Sequence, residues 1–229
     1  MSKVIMIVGF GPGVSSGMAE KFGAEGFSVA LVARSEDRLA AGVLALRAKG
    51  VTAAAFAADA GEPASIRAAI ADARAALGPV TVLHWNAFGG HGVGDLATTD
   101  PAALVSVFDI AVVGLLAAVQ ESLPDLKSTP EGAVLVTNGA FGEINAMLDA
   151  FAIGAKAVGV AIANAAKDKL VGLLSERLKG EGVYVGQVMI AGAIKGTVWA
   201  GDQGIEASAV ADLFWGLYQA RGEVRARIF

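Results

Sequence analysis

The chain has 229 residues and contains no cysteine, which excludes disulfides, thiolate metal sites and a cysteine nucleophile. It has only two histidines, His84 and His91, too few for a histidine-rich metal site. Charged residues make up 17% of the chain, and the net charge is −4. Because the lysines and arginines are scattered, no basic stripe is available, and we expect no nucleic-acid partner.

Long uninterrupted hydrophobic runs are also missing, although the mean hydropathy is +0.58. Glycines and charges interrupt every candidate before it reaches the ~20 residues of a membrane-spanning helix. The segment Met1–Phe10 is similar to a signal-peptide core, but it leads directly into a glycine-rich loop without a small-residue cleavage site. We therefore expect a buried first strand, no membrane partner and a soluble, cytoplasmic protein.

The composition favours a parallel sheet covered by helices on both faces, since 55% of the residues are hydrophobic and 30 are glycine. Apolar runs alternate with helical stretches along the chain and predict one α/β domain over residues 1–229. The expected fold is a doubly wound Rossmann fold with about seven mostly parallel strands. The predicted strands are Val4–Val8, Phe27–Ala33, Val51–Ala57, Val80–Leu83, Ala133–Thr137, Val183–Ile190 and Val224–Phe229. The predicted helices are Ser16–Glu25, Glu36–Lys49, Pro63–Leu77, Pro101–Leu123, a long region ending near Lys179, and Ala207–Tyr218.

A glycine-rich loop follows the first predicted strand and opens the first helix. Glycines allow the backbone to approach a pyrophosphate closely, and a helix N-terminus adds partial positive charge. Strand, loop, helix and second strand follow one another within about thirty residues, the context in which such a loop predicts dinucleotide binding. The candidate cofactor contacts in this loop are Gly9, Gly11, Pro12, Gly13, Val14 and Ser15.

The spacing of Gly9, Gly13 and Ser15 resembles the Gly-x-x-x-Gly-x-Gly loop of short-chain dehydrogenases/reductases, with serine in place of the third glycine. The resemblance continues through three later segments. These are Asp59-Ala60, similar to the family's adenine-binding aspartate, Asn86-Ala87-Phe88-Gly89, similar to its Asn-Asn-Ala-Gly turn, and Ile190–Thr197 with Gly192 and Ile194, similar to its Pro-Gly segment. It implies an oxidoreductase that acts on a carbonyl or alcohol of a small-molecule substrate.

The end of the second strand indicates which dinucleotide is bound. A carboxylate at this position would accept hydrogen bonds from the ribose of NAD and repel a 2′-phosphate. The chain instead has Arg34 and Ser35, with Arg38 one turn further on. Guanidinium groups bind phosphate through charge-assisted, bidentate hydrogen bonds, so these residues predict NADP(H).

The family's catalytic groups are largely absent from the matching positions. The resemblance puts the family's serine at Asn138 or Gly139, its tyrosine at Ala152 and its relay asparagine at Ala111. Only the lysine, which in the family also holds the nicotinamide ribose, is retained, as Lys156.

A second alignment places the lysine at Lys167 and the tyrosine at Ala163, with the extra residues in the preceding loop. A further resemblance, to enoyl-acyl-carrier-protein reductases with their wider Tyr–Lys spacing, puts Asp149 at the tyrosine position. All three alignments agree that the tyrosine is missing.

Few other groups are available as a replacement proton donor. His91 lies in the loop after the fourth strand and titrates near neutral pH, whereas His84 lies within a strand and is expected to be a core residue. Thr137, Asn138 and Asp149 can form hydrogen bonds. Tyr184 and Tyr218, the two tyrosines of the chain, fall in the sixth strand and the last helix, away from the expected site.

The sequence therefore leaves three functions open. The first is an NADP(H)-dependent oxidoreductase with an atypical active site, and the second is a non-catalytic NADP(H)-binding sensor or assembly protein. The third is an unrelated small-molecule binder that uses the glycine-rich loop for another phosphate. The helical stretches Pro101–Leu123 and Ala150–Lys179 correspond to those that associate in the family, so the resemblance also implies a homodimer or homotetramer.

Overall fold

The structure, a computed structural model, describes residues 3–90, 92–197 and 200–229. Strands and helices alternate along most of these residues. The strands are β1 (Val4–Val8), β2 (Ser28–Ala33), β3 (Ala53–Ala57), β4 (Val80–Trp85), β5 (Ala133–Gly139), β6 (Tyr184–Ile190) and β7 (Arg225–Ile228). The helices are α1 (Val14–Ala24), α2 (Glu36–Ala48), α3 (Pro63–Leu77), α4 (Pro101–Lys127), α5 (Ala146–Gly154), α6 (Val158–Lys179) and α7 (Ala207–Ala220).

The seven strands form one sheet in the order β3-β2-β1-β4-β5-β6-β7, and each pair of neighbours is parallel. This confirms the predicted doubly wound Rossmann fold. The strand order reverses between β1 and β4, so the loops that follow these two strands separate and leave a crevice at their carboxyl ends. In sheets of this type ligands bind at that crevice.

Two hydrophobic cores lie on opposite faces of the sheet, and β1 contributes to both. Its residues Val4, Met6 and Val8 pack in one core, while Ile5 and Ile7 pack in the other. All five residues are fully buried, as expected for a central strand covered by helices on both faces. Because both faces of β1 are buried, its sequence is a continuous apolar run and does not alternate between apolar and polar residues.

The long helical region predicted before Lys179 is two helices, and this part of the prediction was wrong. Helix α5 ends in a left-handed turn at Lys156, whose φ is 53°. The Lys156 N–H donates to Ile153 O at 3.0 Å, and the Ala157 N–H donates to Ala152 O at 2.8 Å. This pair of bonds is a Schellman motif, which ends a helix by satisfying its last carbonyl groups.

Helix α4 begins with a 3-10 turn, Pro101–Leu104, and contains a π-helical segment, Asp109–Gly114. It extends the predicted helix Pro101–Leu123 to Lys127. Among the described residues, it is the one helix long and apolar enough to cross a membrane, which the interruptions by charge had not led us to expect. Its Leu115, Ala118 and Leu126 are fully buried in the core beside the sheet. This packing accounts for the apolar character of that face of the helix.

The π-helical segment lies unusually close to the loop after β3. A Cβ atom on Gly114 would stand 1.9 Å from the carbonyl oxygen of Ala60. Gly114 has an ordinary helical backbone, with φ −64° and ψ −43°, so its glycine is required by the contact rather than by the dihedral angles.

We expect Gly114→Ala to lower the stability by about 1–3 kcal/mol, because the added methyl group forces the helix away from Ala60. Gly216→Ala is the matched control: Gly216 lies on α7, is exposed and has no described atom within 4 Å of its would-be Cβ. There alanine should raise the stability by roughly 0.5–1 kcal/mol through helix propensity. Thermal unfolding of both variants tests this, and equal shifts would contradict the close contact.

Candidate functional site

The glycine-rich loop between β1 and α1 has the shape of an anion-binding turn. Gly9 and Gly13 adopt positive φ values of 88° and 91°. A Cβ on Gly9 would stand 2.5 Å from the backbone nitrogen of Ala87, so the loop packs directly against the segment after β4. The Asn86 side-chain amide donates to Gly9 O at 3.2 Å and ties the two segments together.

Ser15, in the place of the family's third glycine, is fully buried and organises the loop from within. Its hydroxyl donates to Gly11 O and accepts from Gly11 N, each at 2.9 Å. Val14 is also buried, whereas Pro12 is exposed at the tip of the loop. A serine here stabilises the turn by hydrogen bonds that a glycine would not form.

The N-terminus of α1 follows the carboxyl end of β1 and has no side-chain cap. Gly13 caps the helix without a side-chain hydrogen bond, and the first intrahelical bond joins the Gly17 N–H to Gly13 O at 3.1 Å. The N–H groups of the first turn therefore lack intrahelical acceptors and carry the positive end of the helix dipole. A pyrophosphate fits this donor set.

Two cationic side chains lie beside the loop at the end of β2. The Arg34 side chain is 77% exposed, and its Nη1 is 4.0 Å from Asp59 Oδ2. A Cβ atom on Gly11 would stand 3.7 Å from Nη1 of Arg38, so the Arg38 guanidinium lies beside the loop. The Ser35 hydroxyl caps α2 by accepting the Arg38 N–H at 3.4 Å. These groups can receive an anionic group next to the glycine-rich loop.

The predicted adenine-side and nicotinamide-side residues flank the same crevice. Asp59 Oδ1 accepts the Gly61 N–H at 2.9 Å, and the carbonyl of Ala60 contacts α4 as described above. The Phe88 side chain is 54% exposed. On the other side, Ile194 Cγ2 lies 3.2 Å from the would-be Cβ of Gly13, and a Cβ on Gly192 would be 3.0 Å from Ile205 Cδ1.

The two candidate lysines have different surroundings. Lys156 is exposed in the turn between α5 and α6, beside Gly94. Lys167 lies within α6 and is only 3% exposed, and burial lowers its pKa to about 8. Of these two lysines, Lys167 is the buried one, and its burial favours the neutral amine.

The positions that the resemblance assigns to the family's asparagine and tyrosine are apolar and buried. Ala111 and Ala163 belong to one small buried cluster with Val93 and Val107. Ala152, the other candidate for the tyrosine position, is 2% exposed on α5. The relay position and the tyrosine position of the Lys167 alignment thus contact the same cluster.

The other candidate proton donors lie away from the crevice or are already bonded. His84 is fully buried, its Nε2 is 3.0 Å from Thr137 Oγ1, and burial lowers its pKa to about 3. This matches the expectation of a core histidine. Asp149 is exposed on α5, and His91 lies outside the described residues.

The two tyrosines are unsuitable as catalytic acids. Tyr184 is paired with Ala133 at the amino ends of β5 and β6, opposite the crevice. Its hydroxyl donates to Glu223 O at 2.5 Å, and burial raises its pKa to about 12. Tyr218 is buried on α7 with its pKa also raised by burial to about 12.

One polar residue was missed by the sequence reasoning. Asn164 is 6% exposed on α6, and its Nδ2 lies 2.6 Å from the would-be Cβ of Gly139. Asn164 lies one helical turn before Lys167. This spacing can be read from the sequence, but it matches no recognisable motif. Only the close approach to Gly139 reveals it.

Comparison with known proteins agrees with this geometry. No curated protein matches the chain. A metagenomic short-chain oxidoreductase in complex with NADP is 23% identical, with a TM-score of 0.81 and coverage of 100% of this chain and 97% of that chain. L-Sorbose reductase from Gluconobacter frateurii, complexed with NADPH and L-sorbose, is 18% identical, with a TM-score of 0.82 and coverage of 99% and 95%.

A third solved structure is an NADPH-bound short chain oxidoreductase from Pseudomonas aeruginosa PAO1 that contains an atypical catalytic center. It is 20% identical, with a TM-score of 0.84, and the match covers 99% of this chain and 95% of that chain. At these identities the three structures show that the fold is shared. The sequence model of the short chain dehydrogenase family matches residues 3–186, which is most of the chain. The chain therefore belongs to the short-chain dehydrogenase family.

Proposed function

We propose that the protein is an NADP(H)-dependent oxidoreductase that acts on a carbonyl or alcohol group of a small molecule through an atypical active site. The observation that carries the proposal is the combination of an uncapped helix N-terminus with Arg34 and Arg38 beside the glycine-rich loop. A helix N-terminus binds a pyrophosphate through its free N–H groups, and arginine side chains bind a 2′-phosphate. The solved neighbours with NADP or NADPH support the same cofactor.

Different groups of residues would bind different parts of the cofactor. The loop Gly9–Ser15 holds the pyrophosphate, Arg34, Ser35 and Arg38 hold the 2′-phosphate, and Asp59 and Ala60 border the adenine. Asn86, Ala87 and Phe88 on one side, and Gly192 and Ile194 on the other, border the nicotinamide half. NADPH supplies a hydride to the substrate when bound.

Lys167 is the better candidate than Lys156 for the family's lysine. A lysine that holds a ribose hydroxyl must reach into the crevice, and Lys167 lies on the helix that packs against the end of β5. Lys156 is exposed in a turn, with the left-handed backbone that ends α5. The role of Lys156 is therefore structural: its left-handed backbone ends α5.

A second candidate function is NADP(H) binding without turnover, and the apolar cluster favours it. Val93, Val107, Ala111 and Ala163 fill the region where the resemblance places the family's asparagine and tyrosine. A site that had merely lost these groups would keep an open space, whereas this one is packed.

The two functions are separated by measuring cofactor binding and turnover in parallel. Isothermal titration calorimetry with NADPH and NADH measures binding, and NADPH absorbance measures turnover with aldehydes, ketones and enoyl thioesters. Binding with steady turnover supports the oxidoreductase. Tight NADPH binding without turnover across the panel supports the second candidate, and no binding of either dinucleotide refutes both.

We expect Arg34→Glu to weaken NADPH binding by about 10- to 100-fold, since a charge-assisted bond is worth ~1.5–3 kcal/mol and a carboxylate repels the 2′-phosphate. NADH affinity should stay the same or increase, because NADH has no such phosphate. Lys179→Glu, an exposed charge reversal at the end of α6, is the matched control. Equal losses for NADPH and NADH in Arg34→Glu would contradict the assignment.

We expect Ala163→Tyr, which restores the family's tyrosine, to lower the stability by about 1–3 kcal/mol rather than to restore a normal site. Ala163 is 3% exposed and packs against Val93 and Val107, so the ring has no room. Ala165→Tyr, exposed on the same helix, should change stability by less than about 0.5 kcal/mol. Chemical denaturation measures both, and a fully stable Ala163→Tyr with higher activity would show an open tyrosine position.

A homodimer or homotetramer is the expected assembly. The exposed fractions of Val105, Phe108 and Val113 on α4 are 67%, 38% and 43%, and Leu173 on α6 is 57% exposed. Apolar side chains on neighbouring helices favour burial against a second copy. Light scattering should give a dimer or tetramer mass that Phe108→Glu lowers, and a monomeric wild-type protein would refute the proposal.

A further inference from the structure

Helix α6 carries two buried polar side chains that have no partner among the described residues. Asn164 is 6% exposed and Lys167 is 3% exposed, and neither side chain forms a hydrogen bond or ion pair within the described chain. Buried polar groups are almost always hydrogen-bonded in folded proteins. The fully buried polar atoms without a partner among the described residues do not include the Asn164 amide or the Lys167 amine. The polar ends of these two side chains therefore stay accessible, and an acceptor on a ligand can bond to them.

The two side chains share one face of the helix, because residues three apart are neighbours on a helix surface. That face packs on the carboxyl end of β5. A Cβ on Gly142 would stand 2.5 Å from the Ala165 nitrogen, and one on Gly139 would stand 2.6 Å from Asn164 Nδ2. The Asn164 amide thus occupies the space that a side chain at position 139 would fill, and the family resemblance puts its catalytic serine at Asn138 or Gly139.

Asn138 itself is not available to a substrate. It is 2% exposed, and its Nδ2 donates to Asn164 O at 3.1 Å and to Gln187 Oε1 at 3.3 Å. Its Oδ1 accepts the Gly139 N–H at 3.0 Å. Asn138 is therefore a positioning residue: it uses its whole side chain to hold the backbone of Asn164 and the end of β5.

No carboxylate of the described residues forms an ion pair with the Lys167 ammonium. The adjacent carboxylate, Asp168, accepts a hydrogen bond from Gln187 and pairs with Arg225 Nε at 2.8 Å. The strand ends and the 3-10 turn Ala140–Gly142 that pack against this part of α6 contain no ionisable side chain. Because burial lowers the pKa of Lys167 to about 8, the amine can both hold and release a proton near neutral pH.

On the basis of the proposed oxidoreductase function, we propose that the Asn164 amide and the Lys167 ammonium form a two-donor site for the oxygen of the reacting carbonyl. Bound NADPH would supply hydride to the carbonyl carbon, and the electron pair of the C=O bond would then pass to this oxygen. Asn164 Nδ2 donates a hydrogen bond to it, and Lys167 Nζ transfers one proton to it, so an O–H bond forms as an N–H bond breaks. The neutral amine regains a proton from water, and alcohol oxidation runs through the same steps in reverse.

The test compares four variants in the reduction of 4-nitrobenzaldehyde by NADPH, with calorimetric NADPH affinity measured for each. We expect Asn164→Ala to lower kcat by about 10²–10³-fold, as for loss of an oxyanion donor. Lys167→Met should lower it by about 10²–10⁴-fold, as for loss of a general acid. Gly139→Ala leaves Asn164 in the chain but displaces its amide, and the extended φ of −117° accepts alanine, so it should lower kcat as Asn164→Ala does. Lys169→Met, an exposed lysine on the same helix, is the control and should be unchanged.

A second readout does not depend on turnover. Brief reductive methylation with formaldehyde at pH 8, followed by peptide mass spectrometry, reports the neutral and accessible amines. We expect Lys167 to be methylated in the free protein, because burial lowers its pKa to about 8, and we expect NADPH together with benzamide, an aldehyde analogue, to protect it.

The outcomes separate this inference from the proposed function. A wild-type protein that binds no NADPH refutes both. A protein that binds NADPH and reduces the aldehyde, while Asn164→Ala and Gly139→Ala retain the wild-type kcat, refutes the two-donor site alone. Methylation of Lys167 that NADPH and benzamide together do not slow also refutes it, because the amine would then not contact the substrate. The two-donor site is supported if Asn164→Ala and Gly139→Ala bind NADPH as tightly as the wild-type protein but lose kcat.

Discussion

The contact between α6 and the carboxyl end of β5 is the constraint on which the rest of the site depends. Gly139 and Gly142 have no side chains, so the helix approaches the strand more closely than other residues would permit. The start of the helix is held in the same way, since a Cβ on Gly90 would stand 2.5 Å from the Gly159 carbonyl carbon. The Gly159 N–H also donates to Val93 O at 2.9 Å. These contacts bring Val93, from the loop after β4, into the apolar cluster.

Behind this contact, a polar network fixes the rotation of α6 about its axis. Asn138 bonds to Gln187 on β6, Gln187 bonds to Asp168, and Asp168 pairs with Arg225 on β7. The network joins three strands to the residue next to Lys167. Asp168, next to Lys167, is thereby engaged with β6 and β7. Ala163, one turn before Lys167 on the same helix, lies in the apolar cluster with Val93, Val107 and Ala111.

The fold could be predicted from the sequence where a signal is local. The bounds of β1 and α3 match the prediction, because a central apolar run and a proline in the first helical turn are unambiguous. The glycine-rich loop also lies where its spacing indicates. The turn at Lys156 was missed because a left-handed lysine has no residue signature, and the observed helix end there depends on hydrogen bonds to Ala152 and Ile153. Asn164 was missed because its role depends on a distance across the fold.

Lys167 is buried and has no ion-pair partner among the described residues, an arrangement that packing alone does not favour. Since burial lowers the pKa of Lys167 from 10.5 to about 8, keeping it charged at neutral pH costs on the order of 3 kcal/mol. A methionine or leucine would fill the same volume without that cost. Ala163 and Ala111, the positions that the Lys167 alignment gives for the family's tyrosine and asparagine, pack in a buried apolar cluster. A buried lysine close to such a cluster is expected where a ligand compensates for the cost of its charge.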